Sequence, residues 1–495
     1  MKRILFYFSV VTAALLLASC EDFLDVNKDP NNPTEVTPSL ILPVAQNYTA
    51  HVMHDNRRIN TLGNMMMYNW SQSDGYAWYP DEFKYLVTSS FYQGIFNDTY
   101  SGALKQYNIL ANLTDAQYDY YKAIGKIMQA FHFQLLVDLY GDIPYTEALQ
   151  RSVNPTPKYD DALTIYEDLI VQLTSAIDII KNAMTATTLK IAPEADDAMF
   201  RGNMEAWIKF ANSLKMRILV RQSDMAGRTA YIQNAINEII AEGSGFITAD
   251  VKINPGYVAQ VDKQNPLWDA FGKDASGNWT MNHKATCATD YIVTFLEGLA
   301  DPRINFIYQK PASGTHKGVP QGLLDYDTPI VNQYMPENVS LIGPGILKGA
   351  NMGSVIFTLA ENNFNLAEAA QKALITGNAK DYYDNGVIAS FSLLGATGVD
   401  AYISSNVALK DWDATPNKIE LIITQKWIAV NGMTAEQSWF DYSRTGYPSG
   451  LPISRLSPKP DRPVRLFYPA GETTSNGANI PAQPDAFSAK IFWAN

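Results

Sequence analysis

The chain has 495 residues, 46% hydrophobic and 18% charged, with 38 Lys and Arg against 50 Asp and Glu for a formal net charge of −12. That length holds a large core and allows more than one domain. The acidic balance argues against nucleic acid as a partner, because such binding rests on clustered Lys and Arg neutralising phosphates.

The first element is a leader. Lys2 and Arg3 supply a charged start, Ile4 to Leu17 an apolar stretch, and Ala18-Ser19 the small residues a signal peptidase needs. The apolar run is shorter than the ~20 residues that cross a bilayer as a helix, so residues 1–19 read as a removable signal. Cys20 directly behind it resembles a bacterial lipobox, which implies cleavage before Cys20 and acyl chains on its thiol and new amino group. Cys287 then keeps the one free thiol, which rules out an intrachain disulfide, and reads as a small buried hydrophobe. Residues 20–39, acidic and interrupted by Pro30, Pro33 and Pro38, read as a tether without regular structure.

Helical periodicity dominates from about Leu40. Tyr121, Ile124, Met128, Phe131 and Leu135 fall on one helix face, ended by Gly141 and Pro144. Leu163, Tyr166, Ile170, Leu173, Ile177 and Ile180 repeat the pattern behind Pro157 and Asp160. Trp207, Phe210, Leu214 and Ile218 mark a third helix, and Ile232, Ile236 and Ile239 a fourth. The fold class expected is mostly α, a tetratricopeptide-like helical-repeat scaffold over 40–242 and 354–435, although the full repeat signature is missing. Between them, 243–353 is rich in Pro, Gly and Asn and reads as a loop-rich, irregular insert of the kind that carries function. Helical pattern returns with Phe357, Ala360, Phe364 and Ala367, then Tyr383, Val387 and Leu394, then Leu421 to Val430. Residues 436–495 read as a C-terminal wrap over the surface.

Two aromatic clusters are candidate ligand contacts. Tyr68 to Tyr85 gathers Trp70, Tyr76, Trp78 and Tyr79 around Gly75 and Pro80, with Asn69, Gln72 and Asp74 beside the rings. Flat rings with nearby amides and carboxylates suit a sugar, whose C–H faces stack and whose hydroxyls need fixing. The same rings are equally suited to packing the loop onto the helices or to facing a protein partner. The second cluster holds Trp268, Phe271, Asn278, Trp279, Asn282 and His283, with Trp279 at a loop tip favoured over Trp268, the alternative for Trp268 being a core position. Asp325 to Tyr334 is a weaker third candidate; Asp325 and Asp327 fall short of the six to eight oxygens that calcium takes.

No catalytic residue, metal site or cofactor is identified. HExxH, G-x-S-x-G, phosphate-loop and G-x-G-x-x-G motifs are absent. His51 and His54 find no third ligand nearby and read as a solvated helix face. Asp160-Asp161 and Asp196-Asp197 stand where helix capping explains them, and a glycoside hydrolase with two distant carboxylates stays open as an alternative of another class.

Several segments occur in order: "CEDFLDVN" from Cys20 to Asn27 with Asp29-Pro30-Asn31, "LVDLYGDIPYTEAL" (136–149), "PKYDDALTIYEDLI" (157–170), "FANSLKMRILVR" (210–221), Asp301-Pro302-Arg303, "LAEAA" (366–370) and "WFDYSRTGYP" (439–448). Together they resemble the SusD/RagB family of surface nutrient-binding lipoproteins, most closely its second branch. The resemblance implies a single SusD-like domain over 40–495, lipidated at Cys20 and held on the outer membrane facing the cell exterior. It implies an oligosaccharide ligand handed, without bond breaking, to a SusC-like TonB-dependent transporter; peptides or other nutrients are the alternative cargo. It also implies that the shared motifs are scaffold and that variable loops build the ligand site.

Overall fold

The computed structural model describes residues 37–323 and 332–494. The leader, Cys20, most of the tether, Asp325 and Asp327 lie outside the described residues. The chain is mostly helical, as expected. In order the longer helices are α1 (Pro38–His54), α2 (Ile59–Met66), α3 (Lys105–Ala111), α4 (Asp119–Tyr140), α5 (Ala162–Thr185), α6 (Met204–Arg221) and α7 (Thr229–Glu242). After the irregular region come α8 (Asp290–Gly298), α9 (Leu359–Gln371), α10 (Ala379–Leu394), α11 (Lys418–Val430) and α12 (Glu436–Thr445). Helix α1 opens at Pro38, inside the stretch read as tether.

Local chemistry sets these boundaries. The apolar stripe of α4 is buried throughout, and the helix stops at Gly141, whose φ of 76° suits a residue without Cβ. Asp161, of the pair Asp160-Asp161 expected to cap, caps α5 by accepting from the Thr164 amide at 2.8 Å. Asn203 caps α6 in the same way through the Ala206 amide. Helix α4 packs on α3 and α5, α5 on α6, and α6 on α7, giving the stack of sequential neighbours expected of a helical repeat. Helix α9 then packs on α6, α10 and α11, joining the two helical regions across the irregular insert.

Among the described residues, three antiparallel two-stranded ribbons complete the framework: β1 (Trp70–Gln72) with β5 (Thr286–Ala288), β2 (Ile143–Pro144) with β3 (Tyr159–Asp160), and β4 (Val251–Ile253) with β6 (Ser354–Phe357). Phe357 therefore belongs to a strand rather than to the helical stripe in which it was placed; Thr358 caps α9 just behind it. Helix α12 opens the stretch read as a surface wrap, but it is largely buried and packs on α2 and α11. Irregular chain begins only after it, and near its end Trp493 returns to the core, its indole N–H donating to Asp138 at 2.9 Å.

The motifs quoted from the sequence explain themselves as buried charge partners. Arg444 of "WFDYSRTGYP" donates to both carboxylate oxygens of Glu368 in "LAEAA", at 2.6 and 2.8 Å. Arg221 of "FANSLKMRILVR" faces Asp138 of "LVDLYGDIPYTEAL" at 3.3 Å. Arg303 pairs with Asp301 at 2.6 Å, both fully buried. Each ion is costly to bury alone, so these motifs have to meet in the fold. Trp439 donates to the Pro463 carbonyl at 2.8 Å and pins the C-terminal chain.

Candidate functional site

The β1–β5 ribbon brings the two aromatic clusters together. Trp70 pairs with Ala288 and Gln72 with Thr286, so the chain leaving β1 and the chain entering β5 emerge at the same end. The first carries Asp74, Tyr76 and Trp78; the second carries Trp268, Asn278 and Trp279.

Gln72 shapes the first loop from below. Its side-chain oxygen accepts from the Trp78 amide at 2.9 Å and the Tyr79 amide at 3.3 Å, and its amide nitrogen donates to the Tyr76 carbonyl at 2.8 Å. Asp74 anchors the loop laterally, accepting from the Tyr334 amide at 2.8 Å. Tyr76 and Trp78 then stand edge to face, ring centroids 5.9 Å apart, each half-buried. The Arg57 guanidinium holds the Trp78 carbonyl at 2.6 Å.

The second loop turns at Gly277, where Asp274 accepts from the Ser276 and Asn278 amides at 2.9 Å. Asn278 is thereby a turn residue, exposed at the tip. Thr280 caps the short helix Met281–Ala285, and this helix is the joint between the loops. Its Asn282 accepts from the Trp78 indole N–H at 2.6 Å and from the Asn56 amide at 3.2 Å. Its His283 lies flat beneath Trp279, centroids 4.0 Å apart and 13° between planes. Trp279 is 41% exposed and the neighbouring Met281 53%. Burial pushes His283 down to about 4, so a neutral ring supports the stack at neutral pH. Lys273 places its ammonium 4.8 Å from the Trp279 ring centre.

Not every ring of the candidate set is available. Trp70 is 1% exposed and packs on Phe271 at 5.1 Å; Tyr79 is fully buried and exchanges a 2.7 Å hydrogen bond with Thr286. Neither offers a face for stacking, because β1 and the short helix Pro80–Phe83 divide the supposed loop and turn these two rings inward. Asn69 is likewise buried. Trp268 is half-buried, closing over Gly272 and leaning on Trp279 at 6.2 Å. What remains open is a ledge of Tyr76, Trp78 and Trp279 with Met281. Asn56, Arg57, Lys273 and Met281 were not singled out from the sequence; the first two lie before α2, and only tertiary contact brings them here.

The other candidate groups are structural. His54 is buried with Nε2 at 2.7 Å from the Val355 carbonyl, not on a solvated face, while His51 pairs with Asp55 at 3.0 Å. Asp197 does not cap a helix start: it accepts from the Trp207 indole at 2.9 Å and Gln46 at 2.8 Å, pinning the turn ahead of α6. Asp160 accepts from the Thr146 amide at 2.7 Å. Cys287 is buried, as expected. Among the described residues no group of three His, Cys, Asp or Glu side chains is placed to hold a metal ion, and no helix is long and apolar enough to cross a membrane.

Known proteins show the same architecture. A chitin-binding SusD homologue from Flavobacterium johnsoniae superposes with a TM-score of 0.76 at 20% identity, covering 92% of this chain and 98% of that one. A SusD homologue from Bacteroides uniformis gives 0.73 at 23% identity over 92% and 99%. A SusD-like protein from Bacteroides thetaiotaomicron gives 0.73 at 22% identity over 92% and 99%. No curated protein matches the sequence significantly. A family model described as "Starch-binding associating with outer membrane" matches residues 30–469, and with the shared architecture this places the chain in the SusD-like branch of the SusD/RagB family.

Proposed function

We propose that this protein captures oligosaccharides at the cell surface and passes them, chemically unchanged, to a SusC-like TonB-dependent transporter in the outer membrane. The observation that carries the reading is the ledge: an exposed Trp279 backed by a neutral His283 and coupled through the Met281–Ala285 helix to Trp78. A supported ring loses little freedom on binding, and sugar C–H faces stack on such rings while hydroxyls reach neighbouring amides. The family's description as starch-binding and a chitin-binding relative of the same fold support a glycan over a peptide. Acylation at Cys20 would hold the protein beside its transporter, and the reading needs no cofactor.

Calorimetric titration with starch- and chitin-derived oligosaccharides, and with a peptide digest, tests it. Binding of at least one glycan series, abolished in W78A/W279A, is the expected result. Binding of peptides alone, glycan binding indifferent to both tryptophans, or turnover of any glycan would overturn it. Radiolabelled palmitate incorporation lost on Cys20→Ala checks the anchor.

A further inference from the structure

The helical stack carries a cleft remote in sequence from the ledge. It lies between α3, α4, α5 and the segment Tyr145–Leu149, with a volume of about 330 Å³. That is the low end of the roughly 300–1,000 Å³ of small-molecule sites.

We propose that this cleft is a second binding site, taking a single neutral sugar ring independently of the aromatic ledge. Its walls carry the side-chain amides of Asn108, Asn112, Gln129 and Gln172. Gln129 and Asn112 both donate to Asn108 Oδ1, at 3.2 and 2.8 Å. Their own side-chain oxygens, Gln129 Oε1 and Asn112 Oδ1, accept no hydrogen bond among the described residues. Beside Gln129 on α4, Lys126 donates to Gln172 Oε1 of α5 at 2.7 Å, and Gln172 donates on to Asp168 at 3.3 Å. Tyr145, half-buried, donates its hydroxyl to the same Asp168 at 2.5 Å and sets its ring edge to face on Phe133 at 4.7 Å.

This arrangement selects a ligand class. Lys126 and Asp168 are the two charged residues of the lining, so the cleft carries no net formal charge to draw an ionic guest. An apolar guest would strip water from amide oxygens without replacing its hydrogen bonds. A polyhydroxylated ring supplies hydroxyl donors to Gln129 and Asn112 and acceptors to the amide nitrogens, with the Tyr145 ring as an apolar border. Leu149 on the cleft wall holds a left-handed φ of 64°, a strained conformation of the kind found at ligand clamps.

Saturation-transfer NMR on the W78A/W279A chain, in which the ledge is silenced, tests the site with glucose, galactose, xylose and N-acetylglucosamine, and with glutamine as a zwitterionic control. At least one sugar is expected to receive saturation at millimolar concentration, and the signal should vanish when Q129L and Q172L are added. Asn112→Ala, at an exposed position that leaves the core untouched, should weaken it severalfold with an unchanged thermal melt, which separates loss of binding from loss of fold. Absence of transfer to all four sugars, transfer that survives these substitutions, or transfer to glutamine in place of sugar overturns the proposal. Because the ledge is removed throughout, its own failure as a glycan site leaves this result unaffected.

Discussion

At the scale of single residues, burial decides roles more than residue type does. Trp70 and Trp279 are the same side chain in adjacent clusters, yet one is a core ring and the other a ledge. Trp279→Ala should weaken glycan binding about tenfold without shifting the urea midpoint, whereas Trp70→Ala should cost about 3–5 kcal/mol of stability. Because His283 stays neutral above its lowered value of about 4, glycan affinity should be flat from about pH 5 to about 8; a titration series that bends in this range would remove His283 from beneath the stack. Two buried carboxylates have opposite pH signatures. Burial pushes Glu436 up to about 7 from 4.5, so the folded chain keeps a proton that the unfolded chain releases. That contribution to stability is complete below pH 4.5 and declines as pH rises to about 7; Glu436→Gln should flatten this slope in urea midpoints measured across the interval. Glu368 moves the other way, to about 2: desolvation opposes ionisation, but Arg444 and Lys372 outweigh it. Its contribution is present above pH 4.5 and lost as pH falls towards 2.

At the scale of elements, the long helices are legible because their stripes run for several turns and their ends carry caps. Those of α4 and α5 were placed within a few residues. The short elements of the insert were not, since a helix such as α8 (Asp290–Gly298) holds too few turns for periodicity to separate it from a loop. Besides the charged motifs, close contact between elements leaves a trace in glycine. A Cβ on Gly63 would sit 2.1 Å from the Glu436 nitrogen, so α2 and α12 approach backbone to backbone. Gly63→Ala should therefore destabilise the chain by about 1–3 kcal/mol through overpacking, read from denaturant unfolding, although alanine is the better helix former.

At the scale of the whole molecule, buried ion pairs tie distant sequence together. Arg444 and Glu368 join α12 to α9, and Arg221 and Asp138 join α6 to α4. Breaking the first pair with Arg444→Met leaves Glu368 buried with Lys372 as its remaining cation and should cost about 3–5 kcal/mol, visible as a lowered thermal midpoint, while the ledge keeps its glycan affinity under native conditions. The C-terminal chain closes the molecule by returning Trp493 to α4.

The helical class, the periodic helices and the family are legible in one dimension, because stripes, caps and charged motifs are local patterns. The sequence also named most of the ledge, since Gly, Pro and aromatic residues crowd there for reasons visible in one dimension. Which rings are open depends on long-range contacts. Pairing β1 with β5 folds Trp70 and Tyr79 inward and sets Asn282 and His283 of one segment beneath the rings of both, a choice made by contacts more than two hundred residues apart along the chain.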